Sequence, residues 1–74
     1  MEKKIILMVS KFFKKKKITL KDSPKTLSKW DSFGHLELIS ILNSTFKVQI
    51  SFEDTIKIKN VGDIIKIYKR YIKQ

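Results

Sequence analysis

Apolar residues in this chain recur at the spacing of an α-helix and almost nowhere at that of a β-strand. Ile5, Ile6, Val9, Phe12 and Phe13 fall at i, i+1, i+4, i+7 and i+8, with Lys3, Lys4, Lys11 and Lys14 largely opposite. That pattern makes one face to bury and one to solvate, over residues 3–14. Val61, Ile64, Ile65, Tyr68 and Ile72 repeat it at i, i+3, i+4, i+7 and i+11. Between them, Leu38, Ile39, Leu42 and Phe46 share a face on a helix expected from about Ser32 to Phe46. Phe33 and Leu36 widen its apolar stripe beyond what one partner helix needs. Val48 and Ile50 alternate with polar residues, and no strand signal is stronger than theirs.

Punctuation between these stretches sets the connections. Lys14-Lys-Lys-Lys17 ends the first apolar pattern and suits the negative end of a helix dipole. Asp22-Ser-Pro24 is a turn signal, because proline disfavours helix in the residue before it. Residues 15–30 therefore form a long connection, with Ile18, Leu20, Leu27 and Trp30 available to pin it to the core. Loops of that length in small domains are often functional. Ser51-Phe-Glu-Asp54 resembles a capping box with aspartate in place of glutamate, and predicts a short helix around 52–57. Asn60-Val-Gly-Asp63 repeats that logic before the last helix. The expectation is an all-α fold: a small four-helix bundle of three main helices and one short one. A long loop joins helices 1 and 2, and residues 1–74 make a single domain.

Composition narrows the chemistry. Seventy-four residues lie near the lower end of what one core stabilises unaided. There is no cysteine, so disulfides and thiolate metal sites are excluded, and any thioester chemistry must borrow its thiol. One histidine and scattered acids leave no zinc site. No triad, acid pair or phosphate-binding loop is present, so the chain is not read as an enzyme. The longest apolar run, Ile5-Ile-Leu-Met-Val9, is far short of a membrane span. The lysine-rich N-terminus lacks a small-residue cleavage site, so it reads as part of the mature fold and the protein as cytoplasmic.

The net charge of +10 is unevenly placed. Residues 1–29 carry +8 and residues 57–74 carry +5, while residues 30–56 carry −3 from Asp31, Glu37, Glu53 and Asp54 against Lys47. A small basic nucleic-acid binder is one alternative. The acidic middle, the single arginine and the lack of a recognition helix with base-reading side chains weigh against it. A protein of anionic membrane surfaces is another, since residues 3–17 form a lysine-rich amphipathic segment. Their apolar residues are needed for the core, and lipid contact is also compatible with other roles. Sixteen lysines with twelve isoleucines also fit an AT-rich coding bias.

Asp31-Ser32 stands at the mouth of the second helix, directly before Phe33-Gly-His-Leu-Glu-Leu-Ile-Ser-Ile-Leu42. Serine and aspartate both favour N-cap positions, and Ser28-Lys-Trp-Asp31 also matches a capping box, so the helix start has more than one solution. The same place suits a phosphoester, because free backbone N–H groups and the positive dipole end point there. No general base or metal cluster stands nearby in sequence. A hydroxyl so placed is suited to being modified rather than to catalysing. His35 is expected on the surface, with no acid or nucleophile at matching spacing.

Asp31-Ser32-Phe33, then Leu36-Glu37-Leu38-Ile39, Phe46, Ile50 and a late Val61…Ile64-Ile65 resemble the acyl carrier protein family, over nearly the whole chain. That family's attachment motif is Asp-Ser followed by an apolar residue and an apolar helix carrying a glutamate. The resemblance implies covalent 4′-phosphopantetheine on Ser32, moved there from coenzyme A by a phosphopantetheinyl transferase that Asp31 helps to engage. It implies a carrier that is a substrate of other enzymes: an acyl- or aminoacyl-loading ligase and a downstream acyltransferase or synthase. Phe33, Leu36 and Glu37 would meet those partners, and the carrier would act as a monomer. Ile58 and Ile64 are expected in the core, with a cargo-facing groove as their other placement. Asn43-Ser44-Thr45 stand where the family commonly places acids, and Lys47 follows, so steering toward basic partners would be weak or reversed. That implies a stand-alone carrier of a specialised biosynthetic pathway rather than of bulk fatty-acid synthesis.

Overall fold

The computed structural model describes residues 1–72 and is all-helical, with α1 at Glu2–Phe13, α2 at Ser32–Phe46, α3 at Phe52–Lys57 and α4 at Val61–Ile72. Residues 73 and 74 of the expected 1–74 domain lie outside the described residues. Each helix end has a local cause. α1 stops one residue before the expected 14, because Lys14 turns left-handed (φ 54°) and the Lys15 amide reaches back to the Ser10 carbonyl at 3.0 Å. Lys47 ends α2 the same way (φ 56°). Ser51 caps α3 by accepting the Asp54 amide at 3.1 Å. At α4 the capping is reciprocal: Asn60 Oδ1 accepts the Asp63 amide and Asp63 Oδ2 accepts the Lys59 amide, both at 2.8 Å.

The buried face of α1 is Ile5, Val9 and Phe13; Ile6 and Phe12 are only partly covered. It packs against α2 and α4. Lys4 lies over the Phe46 ring and Phe13 packs on Trp30 at 5.5 Å between ring centroids, so α1 and α2 run antiparallel. Glu2 meets Lys69 at 3.5 Å, so α1 and α4 do too. Leu38, Leu42, Ile64 and Tyr68 fill the centre with no exposed area. The Tyr68 hydroxyl donates to Asn43 Oδ1 at 2.8 Å, and burial holds it protonated well above the ordinary tyrosine range. Ile67, outside the apolar face read from sequence, is buried as well.

Asp22 organises the loop between α1 and α2. Its carboxylate accepts the Thr19 amide and the Thr26 hydroxyl, each at 2.8 Å, with Lys15 Nζ at 3.4 Å. The loop is stitched to α4 by backbone: the Gly62 amide donates to the Leu20 carbonyl at 3.0 Å. Leu27 and Trp30 pin the loop to the core as expected, and Ile18 is half-buried. Leu20 does not, because its carbonyl rather than its side chain makes the contact, leaving the side chain exposed. Tyr71 joins α4 to α3: its hydroxyl donates to Asp54 at 2.7 Å and accepts the Ser51 amide at 2.9 Å. The Tyr71 bond is the main cause holding Asp54 below the usual aspartate range.

Candidate functional site

Where α2 begins is decided by Asp31. Its backbone is extended, its Oδ1 accepts the Gly34 amide at 2.7 Å and its carbonyl accepts the His35 amide at 2.8 Å. Of the alternatives open in the sequence, the Ser28 capping box is not used and Ser32 is not the cap. Ser32 is the first residue inside the helix, exposed, with its hydroxyl bonded to no described residue. The cap orients the first turn while leaving the hydroxyl outside it. A free hydroxyl beside the unpaired Ser32 and Phe33 amides can accept an esterifying phosphate, favoured by the positive end of α2.

Gly34 lets the preceding loop lie tight against that turn. A Cβ there would collide with the Lys29 carbonyl oxygen and sit 3.2 Å from Asp31 Oδ1. The requirement is space, not unusual backbone, since no glycine has positive φ.

His35 corrects the sequence expectation. It is half-buried rather than on the surface, stacked beside Trp30, whose indole N–H donates to its Nδ1 at 2.9 Å. Its Nε2 lies 2.9 Å from the Thr55 carbonyl. The side chain thus links the loop, α2 and α3. The spacing Trp30…His35 was visible in sequence, but nothing there pointed to Thr55, twenty residues further on.

An open depression of about 480 Å³ adjoins Ser32, lined among others by Pro24, Trp30, His35, Ile56 and Ile58. Ile58 is thus both core and wall, whereas Ile64 is wholly core, at no exposed area. Phe33 and Leu36 are 72% and 57% exposed, and Glu37 is exposed beside them. Phe52 and Ile56 of α3, 73% and 55% exposed, extend the apolar surface. Sequence reasoning missed both, because a helix this short has no readable periodicity.

No family model matches the chain, and no curated protein matches it in sequence. Among solved structures the chain is similar to a candidate acyl carrier protein from Mycobacterium tuberculosis, with 27% identity and a TM-score of 0.83. The match covers 93% of this chain and 95% of that one. The fold, four helices with no strand among the described residues, matches that of an acyl carrier protein.

Proposed function

We propose that the chain is a carrier protein whose Ser32 hydroxyl is esterified by the phosphate of 4′-phosphopantetheine, taken from coenzyme A by a partner transferase. One observation carries the reading. Asp31 caps α2 in place of Ser32 and so leaves the serine hydroxyl exposed and unbonded at the helix mouth. Among the described residues that geometry recurs in no other helix, and the acyl carrier fold supports the reading. The chain's own residues fit the group. Ser32 supplies the oxygen, the first turn supplies amides for the phosphate, and the depression offers an apolar wall of Trp30, Ile56 and Ile58. Asp31 keeps Oδ1 in the cap, leaving Oδ2 toward the transferase and its metal ion. When bound, the arm supplies the thiol that this cysteine-free chain lacks, so that acyl or aminoacyl groups travel as thioesters.

The domain itself then catalyses nothing. It raises the effective concentration of a tethered group for successive enzymes. Phe33, Leu36 and Glu37, with Phe52 and Ile56, form the surface where those enzymes dock. Asn43 and Ser44 beyond them offer no charge, so docking rests on apolar contact and suits dedicated partners in a specialised pathway. The test is the intact mass of the protein after incubation with coenzyme A and a broad-specificity phosphopantetheinyl transferase, with Ser32→Ala alongside. A gain of one phosphopantetheine in the parent alone is expected. No gain, with that enzyme and with the source organism's own, overturns the reading.

A contact with anionic lipid is favoured as an accompaniment. Lys3, Lys4, Lys11 and Lys14 stand exposed around Leu7, itself 56% exposed, on the outer face of α1. Each lysine near an anionic surface adds about 1 kcal/mol. Flotation with vesicles containing phosphatidylserine, against phosphatidylcholine alone, tests it; equal recovery from both removes the idea.

A further inference from the structure

Two depressions flank the contact between His35 of α2 and Thr55 of α3. The one beside Ser32 takes α2 residues up to His35. The other, about 460 Å³, takes α2 from Leu36 onward and is walled by Ile39, Ser40, Ile50, Phe52 and Thr55. His35 lines the first and Thr55 the second, so the 2.9 Å contact between His35 Nε2 and the Thr55 carbonyl stands as a bar between them.

The hydrogen-bond chain admits one assignment. An indole N–H can only donate, so His35 Nδ1 accepts from Trp30; a carbonyl can only accept, so His35 Nε2 carries the proton. Only a neutral imidazole in that tautomer makes both bonds. To the first depression the loop brings Pro24 and Trp30, α3 brings Ile56, and Ile58 follows directly after α3.

We infer that His35 is a positioning residue that sets how far a chain tethered at residue 32 can lie along the domain. With the bar closed, the chain is confined to the depression of Trp30, Ile56 and Ile58. With it open, the two depressions join into one groove reaching Ser40 and Phe52. The inference rests on the carrier reading only for the nature of the tethered group, an acyl chain.

The absence of cysteine allows a test that needs no transferase. In Ser32→Cys the single thiolate displaces methanesulfinate from butyl or decyl methanethiosulfonate, leaving the alkyl group on a disulfide. Backbone amide resonances of the full chain then report where the alkyl group lies. At neutral pH both groups shift Trp30 and Ile58, and neither shifts Ser40 or Phe52. Adding His35→Ala lets decyl but not butyl reach Ser40 and Phe52. His35→Gln can replace both bonds, its Oε1 accepting from Trp30 and its Nε2 donating to the Thr55 carbonyl, so it keeps the parent pattern. Should His35→Ala fail to fold, His35→Ser, too short to reach the Thr55 carbonyl, takes its place. Decyl shifts at Ser40 and Phe52 with His35 in place, or none there in His35→Ala, would overturn the inference. Failure of the carrier reading appears instead as an unmodified Ser32 in the mass measurement, so the two are separable.

Discussion

The carbonyl of Asp22 accepts the Val61 amide at 3.0 Å, so the middle of the long loop holds the first residue of α4. The Asp22 side chain, almost fully buried, meanwhile closes the loop on itself through Thr19 and Thr26. One residue thereby joins the loop that precedes the candidate site to the helix that fills the core.

Asp22→Ala is therefore expected to destabilise the fold by about 1–3 kcal/mol, because two buried hydrogen bonds to a charged acceptor are lost. The Thr19 amide is the largest cause holding the Asp22 carboxyl below its ordinary 3.8. A depressed carboxyl contributes stability that is fully present above that ordinary value and is lost as pH falls through the folded value. Urea midpoints of the parent should fall on acidification below 3.8, and those of Asp22→Ala should fall less steeply. Parallel curves would show that Asp22 is not the group responsible.

Capping by Asp31 and not by Ser32 predicts opposite outcomes for two adjacent substitutions. Asp31→Ala should cost about 1 kcal/mol, as lost N-caps do. Ser32→Ala should stay within about 0.5 kcal/mol of the parent, as exposed substitutions do, while abolishing modification. Denaturant midpoints and intact mass on both proteins check this. A large stability loss in Ser32→Ala would mean that the hydroxyl is part of the fold.

Gly34→Ala sets two effects against each other. In an open helix the change gains roughly 0.5–1 kcal/mol. Here the new methyl group meets the Lys29 carbonyl and crowds the Asp31 cap, and overpacking costs roughly 1–3 kcal/mol. The steric effect should win, lowering the urea midpoint and slowing transfer onto Ser32. A variant more stable than the parent would show that the loop yields freely.

Phe33→Ala and Leu36→Ala should each leave stability within about 0.5 kcal/mol, since both side chains are mostly exposed. If they form the docking surface, the same changes raise the KM of partner enzymes for the carrier. Unchanged KM in the double variant would move docking elsewhere.

The amino-acid sequence by itself determined the helices, because 3.6-residue periodicity and capping residues act within a few positions of one another. Ser32–Phe46 and the 52–57 segment appear as expected, and the exposed Phe33 and Leu36 were legible as apolar residues in excess of the core's need. Ser32 itself was legible through its neighbours Asp31 and Phe33. Tertiary structure alone decided which of Ser28, Asp31 and Ser32 caps α2, since the tight approach of Lys29 to Gly34 selects among local solutions of similar energy. It also decided the place of His35. An imidazole has no fixed preference for surface or core, and the Thr55 carbonyl that captures it is brought near only when α3 is placed beside the start of α2.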